Sequence, residues 1–185
     1  MTRLESEPKH KKMEIADFAI RLLTLFAVVG GGLWAWYQYV AGGATDWQNN
    51  MTIKTEVLPY HDDLRLLVVH VQSKNPRATK LELRGDKHDA FDLRVRALPA
   101  AATFGRVFHE DEGELVASAD LLKLAGGDYE FLPQAEMDDM QAIVVKANTW
   151  ISVIADMKVH TGTRNAHGQP DIDENATSTV VYIPK

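Results

Sequence analysis

Between Leu22 and Val40 the chain reads LLTLFAVVGGGLWAWYQYV, without an ionisable side chain. A helix rises 1.5 Å per residue, so about 20 such residues cross a hydrocarbon layer roughly 30 Å thick. Extended back to Phe18 and on to Ala41, the pattern predicts a transmembrane helix over 18–41. Arg21 lies one turn inside, where its stem lets the guanidinium snorkel to the headgroups. Trp34, Trp36, Tyr37 and Tyr39 crowd the other end, as amphipathic rings do at a membrane interface. A cleaved leader would use Gly42 and Ala44 as its small residues, but the apolar run is longer than a leader's core and bulky aromatics fill the place before the cut. Gly30, Gly31 and Gly32, mid-span, would let a second helix approach closely, although glycine is common in membrane helices generally.

Beyond the helix the period changes. A polar linker over 42–50 leads to alternation in which Ile53, Thr55 and Val57 share one face, a strand expected to end at Pro59. Leu64 to Val71 is short, apolar and β-branched, fitting a strand buried on both sides. Asn75-Pro76 marks a turn, a brief strand follows near Lys80–Leu83, and Gly85-Asp86 marks another turn. Phe91, Leu93, Val95 and Ala97 then point inward while Asp92, Arg94 and Arg96 point out. Phe104–Phe108 reads as a further strand, and 118–124 (SADLLKL) as one or two helical turns capped by Ser118 and stopped by Gly126-Gly127. Strand character resumes at Tyr129–Leu132 and Ala142–Lys146. It is clearest where Ile151, Val153, Ala155, Met157 and Val159 share a face opposite Asp156 and Lys158, and the last strand is Thr177–Ile183.

Seven or eight short strands with one minor helix predict an all-β, antiparallel two-layer sandwich over 51–185. In architecture the strand plan resembles an immunoglobulin or fibronectin type III sandwich, without the Cys…Trp…Cys spacing of true immunoglobulin domains. Residues 1–17, MTRLESEPKHKKMEIAD, carry few apolar positions and both signs of charge, and read as a disordered or fraying cytoplasmic tail.

Charge fixes the expected orientation. Arg3, Lys9, Lys11, Lys12 and Arg21 lie on or before the span, whereas Lys54 alone falls within the first twenty residues after Gly43. Basic residues stay on the cytoplasmic side, which predicts a single-pass protein of the inner (plasma) membrane with its C-terminal domain periplasmic or extracellular. Of the 20 Lys/Arg and 26 Asp/Glu in the chain, 15 and 22 follow residue 43. An acidic outer domain is a poor match for nucleic acid, whose binding needs phosphate neutralisation. The absence of cysteine excludes disulfides, thiolate metal sites and a Cys nucleophile.

Candidate chemistry is sparse. The five serines (Ser6, Ser73, Ser118, Ser152, Ser178) lack a G-x-S-x-G context, and the chain has no HExxH, P-loop or GxGxxG motif. Asp171, Asp173 and Asn175 set oxygen ligands at alternate positions like the start of a calcium loop, but Ala176 and Tyr182 stand where an EF-hand needs Gly and Glu. The acidic run at 110–114 offers similar oxygens; a solvated hairpin tip accounts for it as well. His61-Asp62, His88-Asp89 and His109-Glu110 are adjacent pairs, yet neighbouring strand residues face opposite ways. His70, in the most apolar strand, reads as a core or interface histidine. Asn50-Met51-Thr52 and Asn175-Ala176-Thr177 match the glycosylation pattern, which matters only in a eukaryotic host. Trp47 is expected to dock at the membrane or cap a sheet, and Trp150 to lie in the core. No catalytic, cofactor-binding or metal residue is nominated, and no cofactor is expected.

These readings point to a non-catalytic accessory or interaction subunit of a membrane (cell-envelope) complex. Its expected partners are the lipid bilayer and other membrane or envelope proteins, with self-association compatible. The alternative is a membrane-tethered ligand- or metal-binding sensor carried by the acidic loops at 110–114 and 171–175.

Overall fold

The computed structural model describes residues 8–41, 48–101, 103–109, 111–164 and 167–185, with helix side chains described over 17–39. The sequence-based readings at Trp47 and Glu110 fall outside these residues. The chain divides into two compact units, one ending at Asp46 and one beginning at Trp47.

The first unit is one helix, α1, Pro8–Ala41. It begins ten residues before Phe18, so most of the segment read as a disordered tail is helical. Proline suits a first helical turn, whose N–H would be unpaired anyway, and Lys, Met, Glu and Ala after it are good helix formers. Within α1, Asp17–Tyr39 is long and apolar enough to cross a membrane, and none of it is buried. Trp34 lies 6.0 Å from Tyr37, and Trp36 lies 6.2 Å from Tyr39, ring centre to ring centre. A Cβ at Gly30, Gly31 or Gly32 would meet nothing within 4 Å.

The second unit is built from antiparallel sheets. Its strands are β1 Asn50–His61, β2 Leu64–Lys74, β3 Leu81–Arg84, β4 Ala90–Ala97, β5 Glu114–Asp120, β6 Asp128–Phe131, β7 Glu136–Lys146, β8 Thr149–Arg164 and β9 Pro170–Ile183. One short helix, α2 (Leu121–Leu124), follows β5. The strands are ordered β1-β2-β7 in one sheet, β5-β4-β8-β9 in a second and β3-β6 in a two-stranded third. All three contribute to one apolar core. Leu67, Val69 and Val71 come from β2, Leu83 and Phe131 from the small sheet, and Phe91, Leu93, Val95, Ile151, Val153 and Met157 from the largest. The inward rows of β4 and β8 are those the alternation predicts.

Several local expectations are corrected. β1 runs through Pro59 to His61, with a register shift between them; it is an edge strand, where a missing N–H costs no ladder bond. β2 buries chiefly one face, and His70 lies half-buried on the other, its Nδ1 3.0 Å from Asp138. No strand forms at 104–108, where Phe104 is fully exposed. Residues 114–120, partly read as helix, form β5 instead, and the helix cap is Asp120, which accepts from the Lys123 N–H at 2.8 Å. Trp150 is 54% exposed on the outer face of β8, its ring 5.1 Å from that of Tyr182. Ile151 points inward, so its neighbour must point out.

Candidate functional site

The two larger sheets meet differently at their two rims. β1 and β9 run close together. The Asn175 amide donates to the Asn49 carbonyl, and the Asn49 amide lies 2.9 Å from the Met157 sulfur. At the opposite rim stand β5 and β7, each hydrogen-bonded in its sheet on one side only, with no comparable approach between them among the described residues.

The register shows what this rim presents. Cross-strand partners share a face, so β7 residues opposite the buried Leu67, Val69 and Val71 point inward; these are Ile143, Gln141 and Asp139. On β5, Ala119 and Ala117 lie opposite the buried Leu93 and Val95. Alanine is too short to reach across. Ala117, Ala119, Gln141 and Ile143 consequently remain partly exposed, and a cavity of about 170 Å³ opens between them onto Leu93 and Val95. A second cavity of about 330 Å³ continues the slot toward the β7–β8 turn, lined by Leu115, Val116, Val144, Val145 and Ile151. Leu115, Val116 and Val144 are each at least 40% exposed there.

The slot has a polarity. Its far end, by the β7–β8 turn, is lined mostly by apolar side chains, with Glu114 and Lys146 of opposite charge beside them. Its near end, at the end of the unit where β1 begins at Asn50, is flanked by Asp120 on β5 and by Glu136, Asp138 and Asp139 on β7. Lys74 sits 3.2 Å from Glu136 and offsets part of this charge, and the His70 Nδ1 lies 3.0 Å from Asp138. Asp139 points inward. Burial pushes its carboxyl above the ordinary range, a hydrogen bond from the Tyr129 hydroxyl at 2.5 Å pulls it down, and Asp138 adds to the rise. Tyr129, buried beside Phe91 and Phe131, is itself pushed up by burial and by that carboxylate.

The rims also differ in how their edges are guarded. An exposed strand edge invites pairing and is ordinarily blunted by proline, bulges or charge. β1 carries Pro59 and a register shift. β5 carries a shift at Val95/Arg96 that leaves Val116 as the extra residue. β7 pairs with β2 over eleven residues without a shift and contains no proline. Its acidic residues gather at 136–139 and Lys146 ends it, leaving Gln141 to Val145 without an ionisable group.

The other sequence-selected positions lie elsewhere. Asp171, Asp173 and Asn175 sit inside β9 rather than in a loop, and Asn175 is engaged with Asn49, which removes it as a glycosylation acceptor in the folded chain. In the run at 110–114, Asp111 accepts from Arg94 at 2.8 Å and the Gly113 carbonyl from Arg96 at 3.1 Å, tying this segment to the outer face of β4. His61 contacts Asp62 at 2.7 Å in an exposed turn, so adjacency does give contact where the chain reverses. Asp89 is buried and turns away from His88, accepting from the N–H groups of Arg84 and His160 at 2.8 Å each. Among the described residues, no three His, Asp or Glu side chains are placed to hold a metal ion.

The slot was not read from the sequence. Its signal was the pair of short apolar runs at 115–119 and 141–145, with alanines where a closed core would carry larger side chains. Comparisons with protein-family models, with curated proteins and with solved structures return no match.

Proposed function

We propose that this chain is a non-catalytic, single-pass membrane protein that serves as an accessory or interaction subunit of a cell-envelope complex. In this reading α1 spans the inner (plasma) membrane with its N-terminus in the cytoplasm. The second unit, outside, is a two-layer sandwich of the immunoglobulin or fibronectin type III kind, with β1-β2-β7 facing β5-β4-β8-β9. The observation that carries the reading is the open β5/β7 rim in a chain that also bears an exposed apolar helix. Both surfaces are incomplete alone: the helix needs lipid or other helices around it, and the rim leaves Ala117, Ala119 and Ile143, which pack against the core, partly exposed to solvent. An apolar sheet rim with one free, regular edge is a surface on which proteins dock. The sensor alternative has less support, because Asp171, Asp173 and Asn175 are strand residues and Asn175 is already engaged.

The test is affinity purification of the tagged full-length protein from gently solubilised membranes, with quantitative mass spectrometry. Stoichiometric recovery of the same membrane or envelope proteins across preparations is the expected result. Recovery of the protein alone would sink the subunit reading. Repeating the experiment with a polyleucine span over 18–41 measures what the helix, including Gly30–Gly32, contributes to the association.

A further inference from the structure

We propose that the β5/β7 slot receives an extended segment of a partner protein. The segment adds a strand to the free edge of β7, sets apolar side chains at alternate positions into the slot, and carries Lys or Arg where it passes residues 136–139. The proposal rests on the interaction-subunit reading and specifies its contact.

Three observations favour an extended occupant. The slot is framed by strand edges, and β7 offers free backbone N–H and C=O groups along a regular edge, the template that strand addition uses. Its inward positions recur with period two. Gln141 and Ile143 on β7 face Ala117 and Ala119 on β5 across a narrow cavity, and Val145 continues the row. Every second side chain of an added strand would fall beside the β7 row and would cover the partly exposed Ala117, Ala119 and Ile143. Finally, at this rim the regular edge is that of β7, whereas β5 carries a shift that discourages pairing.

Charge selects the occupant. The near end of the slot holds Asp120, Glu136, Asp138 and Asp139, with Lys74 as the cation paired to Glu136 and the His70 ring beside Asp138. Residues beyond 43 carry 22 acidic against 15 basic groups, so a second copy of this chain would bring more acid to an acidic rim. A segment of another protein with a basic head meets opposite charge at the near end, and at the far end the apolar Leu115, Val116 and Val144, where Glu114 and Lys146 balance each other in charge. This also sets its direction, with the basic residues nearer Glu136 and the apolar ones nearer Val145.

The test uses the full-length protein in detergent micelles and two fluorescent nonapeptides. One alternates Val and Thr after a Lys-Thr-Lys head; the other differs only in a Glu-Thr-Glu head. Fluorescence anisotropy should show the lysine peptide binding at least about tenfold more tightly, with its affinity falling as salt rises. Ala117→Arg, which fills the slot from β5, should abolish binding while leaving the circular dichroism spectrum unchanged. Asp138→Asn should weaken the lysine peptide and spare the glutamate one, which keeps the proposal testable if Ala117→Arg misfolds. Equal binding of the two peptides, binding of neither, or binding that survives Ala117→Arg in a folded protein would overturn it. So would light scattering that shows a dimer which Ala117→Arg converts to monomer, because the slot would then hold a second copy. Co-purification that persists undiminished in Ala117→Arg would remove the slot and leave the subunit reading standing. Loss of all co-purification from the wild type would remove the reading instead.

Discussion

Asn75 shows how much a single turn residue can hold. Its side chain is fully buried at the end of β2, and the amide nitrogen donates to the carbonyls of Thr79, Phe131 and Leu132 at 2.8–3.2 Å. The amide oxygen accepts from the Arg77 N–H at 2.9 Å. In Asn75→Asp the shape is kept, but an acceptor faces three carbonyl oxygens in a buried site. The expected loss is about 3 kcal/mol or more, read as a shift of the urea midpoint of the full-length protein. Tyr129 works differently, because its hydroxyl bonds the half-buried Asp139 carboxylate. Tyr129→Phe should cost about 1–2 kcal/mol at pH 7. The pH dependence follows from sign. The folded Asp139 pKa already lies above its unfolded value, so its contribution to stability falls as pH rises through that interval. Without the hydroxyl the folded pKa climbs further. The deficit of the variant should therefore be largest at neutral pH and shrink as the carboxyl protonates toward about pH 3.5; a deficit constant across that range would contradict the assignment.

At the scale of elements, register sets charges against one another. Asp120, Asp92 and Asp156 occupy directly opposed positions on β5, β4 and β8. Asp120 caps α2, and Asp156 is met by Arg94 at 3.2 Å and Lys158 at 3.8 Å. Asp92, between them, is pushed up by burial first and by Asp156 and Asp120 next. Its folded pKa thus exceeds its unfolded one, and stability is lost as pH rises through that window. Asp92→Asn should stabilise the protein by about 0.2–1 kcal/mol at pH 7, and the gain should vanish below about pH 3.5. Thermal unfolding at pH 7 and at pH 3.5 would show it, and a gain equal at both would point away from the aspartate row. Such rows explain where reading the sequence succeeded. The helix core, β4 and the inner face of β8 were legible because one period ran unbroken through Phe91–Ala97 and Ile151–Val159. The same rule places Trp150 outside, since Ile151 beside it points inward, against the expectation of a core tryptophan. β5 was missed because Leu121–Leu124 following directly lent its helical character to 118–120, and Val116 as a bulge breaks the alternation. The slot was not legible at all, since it depends on which strands become edges, and strand order is not written in local periodicity.

For the molecule as a whole, the decisive asymmetry is charge across α1. Arg3, Lys9, Lys11, Lys12 and Arg21 precede or open the apolar segment Asp17–Tyr39, and Lys54 is the next basic residue after it. If the span is inserted as that asymmetry dictates, α1 carries its first residues inward and the β unit outward. The chain makes the test clean, because it contains no cysteine and any thiol introduced is the sole target of a maleimide. Ser178 is exposed on β9, on the face opposite the core row, so Ser178→Cys presents its thiol to solvent without disturbing packing. A membrane-impermeant maleimide applied to intact cells, or to spheroplasts where an outer membrane intervenes, should label Ser178→Cys at once. Ser6→Cys, before the helix, should react only after the membrane is permeabilised. The reverse pattern would place the β unit in the cytoplasm and remove envelope proteins as its partners. Labelling of both from outside would mean that Asp17–Tyr39 does not cross at all. In that case the helix, with its exposed Leu23, Phe26, Val28 and Leu33, would have to be covered by protein rather than lipid, and α1 itself would become the first docking surface to map.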